Sequence, residues 1–162
     1  YVSVVWRLCS EPLLPMNFQS VVAGILETLV ELQGVAGETL DLSLLIERAE
    51  RLAEAVRALG GRCDAVRGGE NEMEIQALNR QIKGLSRLLI PLTYTESGPF
   101  DHDPAWTIPH LPSLQDAREL PHLDPKSDEF HFLRTQLVRN RNQVAFVLRQ
   151  AVDLLGSPEQ WR

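Results

Sequence analysis

The stretch 130–154, FHFLRTQLVRNRNQVAFVLRQAVDL, decides the fold. Its Phe130, Leu133, Leu137, Asn140, Val144, Val147, Ala151 and Leu154 step by three and four without a break, the spacing that gathers side chains on one face of an α-helix. Asp124-Pro125 supplies a cap and a first-turn proline, whose missing N–H would be unpaired there in any case, and Gly156 and Pro158 end the run. One polar residue, Asn140, interrupts the seam. A helix this long with one apolar face requires partners that offer the same kind of face.

Proline placement shows where those partners lie. Of the ten prolines, Pro12 and Pro15 sit near the start, seven lie between Pro91 and Pro125, and Pro158 is near the end. Residues 16–90 are proline-free and carry three more periodic runs. Asn17 caps a helix through Val21, Val22, Ile25, Leu26, Leu29 and Leu32 that stops at Gly34. Asp41 caps a second through Leu45, Ala49, Leu52, Val56 and Leu59, ended by Gly60-Gly61. Asn71 with Glu74 three residues on forms a capping-box-like start to a third, through Ile75, Leu78, Ile82, Leu85 and Leu89, which stops before Pro91.

No segment alternates with period two. The fold class predicted is therefore all-α, a four-helix bundle with one long Pro-rich crossing, 91–124, between the last two helices. A crossing of that length is either functional or packed by its own side chains. Ahead of the bundle, Val2, Val5, Trp6 and Cys9 have helical spacing and read as the tail of an element that belongs to a preceding domain.

Composition narrows the function classes. At 162 residues the chain has the size of one domain, which buries roughly 70% of its unfolded surface. The 44% apolar and 23% charged fractions exclude disorder and a collagen-like chain, and no unbroken apolar run approaches the roughly 20 residues that span a bilayer. A net charge of −6 repels a phosphate backbone, and no local basic patch is legible along the chain, so nucleic acid is not an expected partner. Cys9 and Cys63 are too sparse for a disulfide framework. The chain begins at Tyr1 without the pattern of a signal peptide and reads as a piece of a longer protein.

Few residues carry reactive chemistry. His102, His110 and His122 lie in the crossing beside Asp101, Asp103, Asp116, Glu119 and Asp124, and such a loop could gather imidazole and carboxylate ligands into a self-contained metal site. Metal-ligand spacing motifs are missing, so solvated loop histidines are the simpler reading, and no catalytic or metal residue is assigned in this chain. Gly60, Gly61, Gly68 and Gly69 follow a helix rather than a strand and read as a helix–helix connection. Asn140 has two readings. It specifies register at an intersubunit seam, with Arg141 and Val144 as further dimer-contact candidates, or it bonds a neighbouring backbone group at the edge of the bundle.

Four segments in order resemble a known family. Leu8-Cys-Ser-Glu-Pro-Leu-Leu-Pro-Met-Asn-Phe18 is similar to the junction where the zinc peptidase domain of glutamate carboxypeptidase II-like enzymes passes into its C-terminal, transferrin-receptor-like dimerisation domain. Leu78-Asn-Arg-Gln-Ile-Lys-Gly-Leu-Ser-Arg-Leu-Leu-Ile-Pro-Leu92 resembles the family's helix that ends in an apolar-Pro-Leu step. Gly98-Pro-Phe-Asp-His-Asp-Pro104 opens the crossing, and Leu137-Val-Arg-Asn-Arg-Asn-Gln-Val144 lies in the last helix.

The resemblance implies a division of the chain: 1–16 as the tail of the peptidase domain and junction, 17–156 as the helical dimerisation domain, and 157–162 as a C-terminal tail. It implies a homodimer that also packs on the upstream peptidase domain of its own chain, and zinc held by that upstream domain, none of it by this chain. By position it places Phe100, His102, Asp103 and Trp106 nearest a substrate. Where glutamate carboxypeptidase II has a Lys-Tyr pair and a Gly-Glu-Ser-Phe-Pro-Gly stretch, this chain has Ile108-Pro-His-Leu-Pro-Ser-Leu-Gln115, so the resemblance does not extend to glutamate specificity. A receptor-like relative without peptidase activity fits the same four segments.

Overall fold

The computed structural model describes residues 1–67, 71–93 and 108–156. These residues are all-α, with no strand among them: α1 (Val2–Ser10), α2 (Gln19–Ala36), α3 (Ser43–Val66), α4 (Glu72–Thr93) and α5 (Asp128–Gly156). Short 3-10 helices span Gly37–Thr39, Pro112–Arg118 and Leu120–His122. One continuous core of buried side chains draws on α2, α3, α4, α5 and the 3-10 helices Pro112–Arg118 and Leu120–His122. α1 buries nothing, and Val2, Val5, Trp6 and Leu8 are exposed.

Helix starts follow the short polar side chains. Asn17 Oδ1 accepts from the N–H of Gln19 at 2.9 Å, and Asp41 Oδ1 accepts from the N–H of Ser43 at 2.9 Å. Asn71 and Glu74 form the reciprocal box, the Glu74 N–H donating to Asn71 Oδ1 at 3.3 Å and Asn71 Nδ2 donating to Glu74 Oε2 at 3.1 Å. Asp124-Pro125 does not open the last helix. It forms a turn in which the Lys126 N–H bonds Asp124 Oδ1, and the cap is Ser127, whose Oγ accepts from the Phe130 N–H at 3.1 Å. A hydroxyl cap of this kind is worth about 1 kcal/mol.

Helix ends depart further from the periodic reading. α2 runs past Gly34 to Ala36, and the stop is Gly37, whose φ of 56° is a conformation that costs a glycine nothing. α3 runs through Gly60-Gly61 to Val66, because the burial of Leu59 and Val66 outweighs about 1 kcal/mol of lost propensity per glycine. α4 continues past Pro91 to Thr93. The last turn is held by burial of Leu92 and Thr93 and by the Thr93 hydroxyl, which donates to the Leu89 carbonyl at 2.9 Å.

The four long helices do not close on one another evenly. α3 packs against α2, α4 and α5, and α4 packs against α5, while the 3-10 helix Pro112–Arg118 packs against both α2 and α5. Leu111, Leu114, Ala117 and Leu120 are all buried there, so the described part of the crossing is packed by its own side chains. Leu111 makes the entry with a left-handed φ of 52°, fully buried, its N–H bonded to the Leu92 carbonyl at 3.2 Å. Burial of the leucine side chain offsets a backbone cost of about 1–2 kcal/mol.

The apolar face of α5 is wider than a single seam. Leu133 and Val147 are only partly buried, and Ala145, Leu148 and Leu155 join the core in addition to Phe130, Leu137, Val144, Ala151 and Leu154. The cause is that α5 meets α3 on one side and α4 on the other. α2 also departs from the run-length argument. With only Glu27 and Glu31 as charges, it is long and apolar enough to cross a membrane by length and composition, although Val22, Ile25, Leu29 and Leu32 are buried in the core.

An ion pair staples the crossing to α2. Arg118 Nη1 donates to Glu31 Oε1 at 2.7 Å, and this hydrogen bond, with the positive charge behind it, holds the Glu31 carboxyl below its ordinary value. A carboxyl whose folded value is depressed stabilises fully above its unfolded value, and the contribution disappears as pH falls through the folded value. The difference in melting temperature between the wild type and Glu31→Gln is therefore expected near neutral pH and should shrink to nothing on acidification, as thermal melts across a pH series would show.

Candidate functional site

α4 carries the most distinctive surface. Its capped start fixes the rotation of the helix, which turns Leu78, Ile82, Leu85 and Leu89 inward and leaves Arg80, Lys83 and Arg87, three and four residues apart, exposed. At Gly84 the helix passes close to α5, where an added Cβ would lie 2.9 Å from a methyl carbon of Leu154. Beside it Gln81 is 7% exposed and bonded at both ends of its amide. Oε1 accepts from Arg62 Nη2 of α3 at 3.0 Å, and Nε2 donates to the Leu154 carbonyl of α5 at 3.4 Å. A buried amide with both ends bonded ties three helices together at one level.

This junction forms one side of a groove of about 520 Å³. Ala77, Leu78, Leu88 and Leu154 supply aliphatic surface, while Arg62, Arg80, Lys83 and Arg87 surround it against the single carboxylate of Glu74. Glu74 is itself engaged by Asn71, and Arg80, Lys83 and Arg87 form no ion pair among the described residues. A chain of net charge −6 thus presents a local basic surface that reading along the sequence missed. The signal was the spacing of Arg80, Lys83 and Arg87, which looks scattered in a line and forms a stripe on a helix. Cations, amides and aliphatic carbons recognise an acidic, partly apolar partner.

The residues singled out from sequence fall elsewhere. Phe100, His102, Asp103 and Trp106 lie outside the described residues, as do Gly68, Gly69 and the tail 157–162. Asn140 Nδ2 donates to the Ser113 carbonyl at 2.7 Å and fastens α5 to the 3-10 wedge, a bond of the kind its second reading expects. Arg141 Nη1 donates to the Asp41 carbonyl at 3.2 Å, and Val144 is buried at 1% exposure in the core. The described residues bring these three into contacts within the chain.

His110 is half-buried against Gly24, His122 is exposed, and exposed His131 stands edge-on to the Phe130 ring. Among the described residues no group of three or more His, Cys, Asp or Glu is placed to hold a metal ion. Cys9 is an exposed free thiol, and partial burial pushes the Cys63 thiol up. No family model, no curated protein and no solved structure matches the chain.

Proposed function

We propose that the chain is a non-catalytic dimerisation domain of a glutamate carboxypeptidase II-like zinc peptidase, which also helps to shape the substrate pocket of the full-length enzyme. The observation that carries this reading is the order of the four resembling segments along the fold. The Leu-Pro junction leads directly into α2, the segment 78–92 forms most of α4, and the long crossing separates α4 from α5. In this reading zinc belongs to the upstream domain and supplies the hydrolytic chemistry there. The residues of this chain hold subunits and domains in place.

The junction has the build that such a role needs. Leu13 is buried, and Asn79 of α4 bonds the chain on both sides of it, accepting from the Leu14 N–H at 2.9 Å and donating to the Pro12 carbonyl at 2.7 Å. Whatever precedes Pro12 is thereby anchored to the helical core. Light scattering coupled to size exclusion is expected to return twice the mass of one chain. A monomer at every concentration, up to the limit of solubility, would overturn the reading.

A further inference from the structure

Two exposed stripes of opposite charge lie on consecutive helices. On α4, Arg80, Lys83 and Arg87 are spaced by three and four, and on α3, Glu47, Glu50 and Glu54 repeat the same spacing. All six are exposed. Glu47 pairs with Arg51 along its own helix, and the other five make no ion pair among the described residues. Among the described residues no member of one stripe forms an ion pair with a member of the other.

We propose that the dimer, on the reading above, forms through these stripes, with α3 of one copy lying antiparallel against α4 of the other. The antiparallel register sets Glu47 beside Arg87, Glu50 beside Lys83 and Glu54 beside Arg80. It also places the exposed apolar residues: Leu44, 49% exposed, falls opposite Ile90, 46% exposed, and Met73, 81% exposed, falls opposite Gly61, where no side chain obstructs it. A parallel register would match all three charges at one offset, whereas the antiparallel one sets Lys83 one residue from Glu50, but the parallel one would set Ile90 against Arg57. Each copy carries both stripes, so a two-fold axis satisfies two such contacts at once and closes the assembly at two chains. Three opposite-charge pairs per contact fix the register and steer the encounter, and added salt weakens them.

Charge reversal tests this. Lys83→Glu and Glu50→Lys, each judged folded by an unchanged circular dichroism spectrum and melt, should each weaken self-association about tenfold or more in sedimentation equilibrium, since each substitution enters the dimer twice. An equimolar mixture of the two variants should recover a dimer of wild-type affinity, because one contact then keeps the native pair and the other carries it reversed. If the wild type is a dimer that neither substitution weakens, or if the mixture does not recover, this interface is wrong while the dimerisation reading stands. A monomeric wild type overturns both. Arg87→Glu with Glu47→Lys repeats the test at a second pair.

Discussion

Leu114→Ala is expected to cost about 2–5 kcal/mol, the range for emptying a leucine's volume from a packed interior. Leu114 is fully buried in the 3-10 helix that packs against both α2 and α5. Its loss would leave a void where two long helices are joined through a third element, and neither helix can move in to fill it without giving up its own packing on α3. Denaturant unfolding should show a lower midpoint with an unchanged slope. Val30→Ala, at a position 54% exposed, is the control and should stay within about 0.5 kcal/mol. A loss below about 1 kcal/mol for Leu114→Ala would mean that the segment is a loop lying on the bundle and not part of its core.

Gly24→Ala should destabilise the protein, although alanine is the better helix former by about 1 kcal/mol. Gly24 lies in α2 under the imidazole of His110, and a Cβ there would stand 2.6 Å from Cδ2 and closer still to Nε2. The ring moves only as a rigid unit about χ1 and χ2, and the backbone that carries it continues directly into the buried Leu111. Overpacking of this kind costs about 1–3 kcal/mol, so the net effect is a loss of up to ~2 kcal/mol. The sign distinguishes the cause. In a His110→Ala background the same substitution should become stabilising by up to ~1 kcal/mol, since only the propensity gain is left. A double-mutant cycle measures the difference, and additive effects would remove His110 from the explanation.

Legibility from sequence depended on the range of the interaction. The apolar spacing of Leu45, Ala49, Leu52, Val56 and Leu59 is written locally, and so is the box at Asn71, and these features appear in the structure; Asn17 and Asp41 bond the first N–H of their helices from one residue ahead of the cap positions Phe18 and Leu42. Helix ends are not legible locally wherever burial of a distant residue decides them. Gly60-Gly61 and Pro91 discourage helix locally, yet Val66 and Leu92 beyond them have core to enter. Asp124-Pro125 is a stronger local signal than Ser127, although that pair makes a turn one step earlier and Ser127 is the cap. The basic groove depends on Arg62 arriving from α3 and Leu154 from α5, which no window along α4 contains.

The two bonds of Asn79 have a mechanical consequence. A carboxamide offers the same donor and acceptor as a peptide unit, so the Pro12 carbonyl and the Leu14 N–H are bonded as they would be along a strand edge, without a sheet. With Leu13 buried between the two bonds, this stretch is a fixed mount and not a swivel. A force applied to the chain ahead of Pro12 passes into the middle of α4, one residue from Arg80, before any loop can absorb it.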